Sequence, residues 1–278
     1  MTRNVLSAKD LRVTFSSLNA RGEVHAVDGV TLDLHEGEIL ALVGASGSGK
    51  TTLSRTLLGL EQPTSGEVTA LGEPLPTRGK ALRAYRRHTQ LVMQDPSGAL
   101  NPKHSVYESV AEGIRLHRIV KKASERGEDV TETELVSQAL LRAGMRRPEQ
   151  YFLSYPHELS GGQRQRVLIA GALAVEPKVL IADEPVSSLD ASIRGEILAL
   201  FLSLRNELGL SLLVVTHDLG LAWNIADRVA VMSKGQIVEC GTTEDVLLRP
   251  THEYTRGLLA ALPGEQRPDT ASVTATVR

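Results

Sequence analysis

The stretch Ile39-Leu40-Ala41-Leu42-Val43-Gly44-Ala45-Ser46-Gly47-Ser48-Gly49-Lys50-Thr51 changes character at its middle. Its first part is continuously apolar, as expected of a central strand covered on both faces. Its second part fits the pattern G-x-x-x-x-G-K-[ST], a loop whose backbone N–H groups cradle phosphate oxygens at the start of a helix. Residues 52–60 continue as the helix that this motif requires. Gly44, Gly47 and Gly49 let the backbone approach phosphates without a Cβ in the way. Lys50 is expected to hold the β- and γ-phosphates and the Thr51 hydroxyl to ligate Mg²⁺, with Ala45, Ser46, Ser48 and Thr52 completing the cradle.

Outward from this stretch the pattern alternates between strand types. Residues 6–15 and 24–34 alternate apolar and polar, as half-buried antiparallel strands do. Residues 179–182 and 212–216 read as two more buried strands, and 229–232 with 236–239, joined through Lys234-Gly235, look like a hairpin. Between about residues 96 and 174 the period becomes helical, and the charged stretch 121–134 suits a loop or an exposed helix. The fold expected is α/β: a phosphate-loop NTPase core with a mixed sheet, an antiparallel β subdomain and an α-helical subdomain. One domain over residues 1–262 and a mobile polar tail over 263–278 are expected.

Composition narrows the function. The 278 residues carry a formal charge of −2, and aromatics are 3% of the chain, which argues against a nucleic-acid footprint. The single Cys240 excludes an internal disulfide or a cysteine-cluster metal site and reads as a small apolar residue beside a tight turn. No apolar run reaches the ~18–20 residues of a membrane helix, and no apolar segment follows the first residues. The expectation is a cytosolic chain for which other subunits supply any membrane.

Several further residues carry chemistry. Asp183-Glu184 ends the apolar run 179–182. Strand alternation would turn the two carboxylates different ways, Asp183 toward Mg²⁺ and Glu184 toward the attacking water. Ser160 stands at a helix N-cap position in Leu159-Ser160-Gly161-Gly162-Gln163. The hydroxyl, the backbone N–H groups of Gly161, Gly162 and Gln163 and the helix dipole suit a γ-phosphate. Alone, that stretch would equally suit an ordinary capped helix. One chain thus holds two anion-binding loops but one carboxylate pair, which implies that two copies cooperate.

In this order the three motifs resemble the ATP-binding cassette family over roughly residues 5 to 262. The resemblance implies that Ser160 to Gln163 close over ATP held by a partner's phosphate loop. It also matches Ser187-Ser188-Leu189-Asp190 to the loop crossing the dimer axis, with Ser188 replacing the usual Ala. Gln94 corresponds to the family's Q-loop glutamine, a metal ligand that can also orient water, and His217 to its switch histidine, able to hydrogen-bond the γ-phosphate. Without the resemblance, a loop Gln or a strand-end His says little. Phe15 falls where the family stacks adenine, worth about 1 kcal/mol, with plain core as the competing reading.

Finer text points to the oligopeptide, dipeptide and nickel importer branch. Gln94-Asp95-Pro96 with Leu100-Asn101-Pro102 resembles its Q-loop, Tyr155-Pro156-His157-Glu158 precedes the signature, and Arg249-Pro250-Thr251-His252-Glu253-Tyr254-Thr255 nears its P-x-H-P-Y-T pattern. Glu253 replaces a proline, and Ser97-Gly98 replaces a pair that often includes an aromatic. The resemblance implies ATP and Mg²⁺ as cofactors and a second cassette subunit, a copy or a paralogue, as partner. It further implies permease subunits in the membrane, a solute-binding protein acting indirectly and a place on the cytoplasmic side of the membrane. Cassette ATPases of DNA repair would show a coiled coil or zinc cysteines, and ribosome-associated ones a tandem repeat, and neither feature is present.

Overall fold

The computed structural model describes residues 3–16, 23–187 and 189–261. These divide into two compact units, one formed by Met1–Thr77 with Ser211–Arg278 and the other by Arg78–Leu210.

In the first unit, β1 (Asn4–Ser16) pairs antiparallel with β2 (Glu23–His35) and with β4 (Ser65–Ala70), which pairs with the short β5 (Glu73–Pro74). The order is β2-β1-β4-β5. The alternation in residues 6–15 and 24–34 is thus that of antiparallel strands, interrupted by bulges that shift the β1–β2 register.

A mixed sheet occupies the rest of this unit. At its centre β3 (Ile39–Val43) lies parallel to β8 (Ser211–Thr216) on one side and to β9 (Arg228–Ser233) on the other, and β10 (Gln236–Thr242) closes antiparallel on β9. All residues of β3 and β8 are buried, the reason β3 and residues 212–215 of β8 are apolar, with Ser211 and Thr216 as buried polar ends. Ala41, Val43, Val229 and Val231 pack under Leu219 and Ala222 of α9 (Leu219–Ile225) and Val246 and Leu247 of α10 (Thr243–Leu248). Tyr254 and Leu258 of α11 (Glu253–Ala260) lean on the same core. The helix α1 (Lys50–Leu57) follows β3.

In the second unit, β6 (Thr89–Val92) and β7 (Val179–Asp183) are parallel. α2 (Gly79–His88) leads into β6, and α3 (Pro96–Ala99) follows it. The helices α4 (Val106–Leu116), α6 (Glu132–Arg142) and α7 (Gly161–Leu173) pack on one another. Each begins with the same reciprocal cap: Ser105 with Glu108, Thr131 with Glu134 and Ser160 with Gln163. The charged stretch contains α5 (Ile119–Glu125), whose Ile119 and Ala123 are buried, so it is not wholly a solvent face. α8 (Ala191–Leu208) ends at Gly209, where φ is 62°, the left-handed terminator that glycine supplies best. Among the described residues no helix is long and apolar enough to cross a membrane.

One expectation needs correction here. Cys240 is exposed in β10, away from the 234–235 turn, and its Sγ accepts a hydrogen bond from Arg228 Nη2 at 3.4 Å. The expected tail and Ser188 lie outside the described residues.

Candidate functional site

The phosphate loop is shaped by backbone crowding. A Cβ on Gly44 would lie 2.2 Å from the Met232 carbonyl oxygen, and one on Gly49 would lie 2.1 Å from that of Ala26. Gly49 also has φ 106°, which L residues rarely adopt. The β9–β10 turn braces the loop, since Gly235 N–H donates to the Ser48 carbonyl at 2.9 Å. Lys50 is buried, and its ammonium donates to the carbonyls of Gly44 at 2.8 Å and Ala45 at 3.0 Å, which holds the charge inside the loop's curve. Ser48 is buried too, and its hydroxyl has no hydrogen-bond partner among the described residues. Glycines that tolerate no side chain, a buried cation and a buried unpartnered hydroxyl together fit a polyphosphate. Because α1 begins at Lys50, its positive dipole end opens onto the loop.

The register of the parallel strands aligns the residues just beyond their ends. Val43 pairs with Thr216, so Gly44 and His217 leave β3 and β8 side by side at the carboxyl end, where open α/β sheets bind ligands. His217 is exposed. Its neighbours fix its backbone: Asp218 N–H donates to Thr216 Oγ1 at 3.0 Å, and the Asp218 carboxylate caps α9 by accepting from Leu221 N–H at 3.0 Å. Thr51 is exposed at the start of α1, and Thr52 is half-buried. Phe15 is 41% exposed at the end of β1, so it is not a plain core residue.

In the second unit Val92 pairs with Ala182, so Gln94 and Asp183 emerge at the same end of the β6–β7 pair. Gln94 is exposed, while Asp183 and Glu184 are half-buried. The strand-alternation argument for the two carboxylates does not hold. β7 stops at Asp183, and Glu184 has φ 50°, so a turn and not the pleat directs its side chain. That turn is closed by Ser187, whose N–H and hydroxyl donate to the Glu184 carbonyl at 3.3 and 3.1 Å.

The signature stretch forms the expected N-terminus. The Ser160 hydroxyl accepts from Gln163 N–H at 3.2 Å, and Gln163 Oε1 accepts from Ser160 N–H at 2.8 Å. Ser160 and Gly161 are exposed, whereas Gly162 is buried. Its glycine has a packing reason: a Cβ there would lie 2.8 Å from Ile193 Cγ2 of α8. Arg164 donates to the Leu159 carbonyl at 3.2 Å and to Ser97 Oγ at 2.8 Å, while Asp95 caps α3 by accepting from Ser97 N–H at 2.9 Å. The Gln94 loop and the signature loop are thereby tied through Ser97, a position the sequence had marked only as a departure.

Sequence reasoning also missed Tyr254. Its hydroxyl accepts from the Ala45 N–H of the phosphate loop at 3.2 Å. Glu239 anchors the segment before it by accepting from Thr251 N–H at 2.7 Å and Thr251 Oγ1 at 2.8 Å. Burial alone would raise the Glu239 carboxyl, but its hydrogen bonds outweigh this and hold it below the usual range. The signal lay in the Tyr254 of the C-terminal pattern, but spacing gave no hint of its contact.

A mixed sheet whose central parallel strand feeds such a loop defines a phosphate-loop nucleotide hydrolase. Within that class the chain belongs to the ABC transporter family, whose model matches residues 27–187. The Oligopeptide transport ATP-binding protein OppF of Streptococcus mutans serotype c is 42% identical over 267 residues, covering 95% of this chain and 84% of that protein. The Glutathione import ATP-binding protein GsiA of Escherichia coli O6:H1 is 44% identical over 273 residues, covering 96% of this chain but only 42% of that protein. Among solved structures, cbiO1 from Clostridium perfringens, part of the ABC transporter complex cbiONQ, aligns with a TM-score of 0.73 at 30% identity over 95% of this chain and 97% of that one. A dimer of the ATP-binding cassette MJ0796 bound to ADP and Pi aligns at 0.72 with 27% identity over 86% of this chain and 98% of that one. The chain is accordingly an ABC-type ATPase.

Proposed function

We propose that this chain is the ATP-hydrolysing subunit of an importer for peptides or similar small solutes. The carrying observation is the presence in one chain of a phosphate loop and a separately capped signature loop, each suited to phosphate but built on different elements. Two cassettes, this chain with a copy or a paralogue, sandwich two ATP head to tail, each phosphate loop facing the partner's signature loop. Lys50 neutralises the β- and γ-phosphates and Ser48 offers its buried hydroxyl to them. Phe15 stacks on adenine. Thr51, Gln94 and Asp183 are the residues that would hold Mg²⁺, which when bound screens the charge of the triphosphate. Glu184 positions and deprotonates the attacking water, while His217 hydrogen-bonds the γ-phosphate and Gln94 adjusts with it.

Loss of the γ-phosphate removes the anion that both loops hold, so the cassettes part. The movement is passed from the Gln94 loop, through Ser97 and Arg164, to permease subunits at the cytoplasmic face of the membrane. A solute-binding protein delivers cargo on the far side.

Glu184→Gln is expected to keep ATP binding, lower turnover by about 10²-fold or more and lengthen the life of the closed dimer. Phosphate release and ATP-dependent size exclusion measure both effects. Hydrolysis near the original rate would remove Glu184 from the reaction. The likeness to GsiA favours a second reading of the cargo, a glutathione-like solute. Reconstitution with permease and binding protein separates the two, by whether oligopeptide or glutathione stimulates ATP consumption.

A further inference from the structure

We propose that the second unit carries an anion pocket of its own, built for a phosphate ester by Lys80, Arg83, Arg87, His117, Arg118 and Lys122. These residues line one cavity of about 540 Å³, within the size range of small-molecule sites. Three come from one face of α2, because positions 80, 83 and 87 recur at helical spacing. The others come from the α4–α5 corner, where Arg118 has φ 53° and turns the chain sharply between the two helices.

The charge is one-sided. No acidic side chain lines the cavity, and among the described residues none of its five lysines and arginines has a carboxylate within salt-bridge distance. Gathering cations around a concavity costs repulsion that an anion relieves. Two imidazoles strengthen the case. His117 is 9% exposed and makes no side-chain hydrogen bond among the described residues, and His88 beside it keeps a buried Nδ1 without a partner there. Burial first, and then the neighbouring cations, pushes both rings toward their neutral form, so a bound anion would supply what they lack.

Phosphate fits this set better than a carboxylate. It offers several acceptor oxygens and more than one negative charge to guanidinium forks arriving from two directions. Two sources share that chemistry, a free phosphate compound and the phosphate of an anionic lipid headgroup. The pocket residues are separate from those of the phosphate loop, so filling that loop with ADP isolates the new site.

The test uses the full chain with saturating ADP–Mg²⁺. Inorganic pyrophosphate is titrated by calorimetry, and co-sedimentation is measured with phosphatidylcholine vesicles with and without phosphatidylglycerol. Arg83 and Lys122 are exposed, so Arg83→Gln/Lys122→Gln should fold and hydrolyse ATP as the native chain does. Binding of either probe, weakened about tenfold or more in the double variant, supports the pocket. Pyrophosphate alone identifies a free phosphate compound, and phosphatidylglycerol vesicles alone a headgroup. If the native chain binds neither, or the double variant binds as tightly as the native chain, the pocket is not an anion site. Should the double variant misfold, the two single variants are measured by the same criteria.

Discussion

Gly49 has two constraints at once, a left-handed backbone and the Ala26 carbonyl where its side chain would be. In Gly49→Ala either the loop or the end of the neighbouring strand must move. The left-handed conformation alone costs about 1–2 kcal/mol. Stability should fall by at least that much in denaturant unfolding, and ATP affinity should fall about tenfold or more by equilibrium titration. Native affinity in this variant would show that the loop's shape does not govern phosphate binding. This glycine was legible in the sequence, because its motif is local. Glu184 was legible as a residue but not as a geometry: alternation applies only within a strand, and the strand ends one residue earlier.

At the scale of elements, the start of the signature helix was readable because its cap lies within four residues, where Ser160 and Gln163 satisfy orphan N–H groups reciprocally; the same device at Ser105 and Thr131 was not read. Helix ends and corners depend on what packs against them. His117, at the end of α4, and His88, at the end of α2, are surrounded by Arg83, Arg87, Lys122 and Lys178. Both imidazoles titrate below their ordinary value, with burial as the main cause. Near pH 6.5 the unfolded chain takes up protons that the folded unit resists. Their contribution is therefore full above that pH and is lost as pH falls toward the depressed values. Urea unfolding should show stability dropping between about pH 7.5 and about pH 5.5. His117→Gln should flatten part of that slope, and an unchanged slope would remove His117 as a cause.

For the whole molecule, the expected behaviour is that of a reaction centre shared between subunits. Specific ATPase activity should rise with protein concentration as cassettes pair. Ser160→Ala should lower turnover by about 10²-fold, the scale of losing an aligned transition-state donor, while nucleotide binding to the isolated chain persists. The same substitution removes an N-cap and should cost α7 about 1 kcal/mol, which a thermal melt separates from the kinetic effect. Full activity of this variant at low concentration would sink the shared-site mechanism.

By itself the sequence determined what is written in short windows: the buried strand and phosphate loop of residues 39–51, the capped signature helix, the carboxylate pair where β7 ends and hence the family. Each depends on neighbours a few positions apart, where backbone geometry dictates residue type. Only the tertiary structure decided that Tyr254 reaches the Ala45 N–H, that Gly162 makes room for Ile193, that Ser97 links two loops and that the cations of α2 meet those of α5. Those contacts join residues far apart along the chain, and their partners are chosen by packing, which no local spacing encodes.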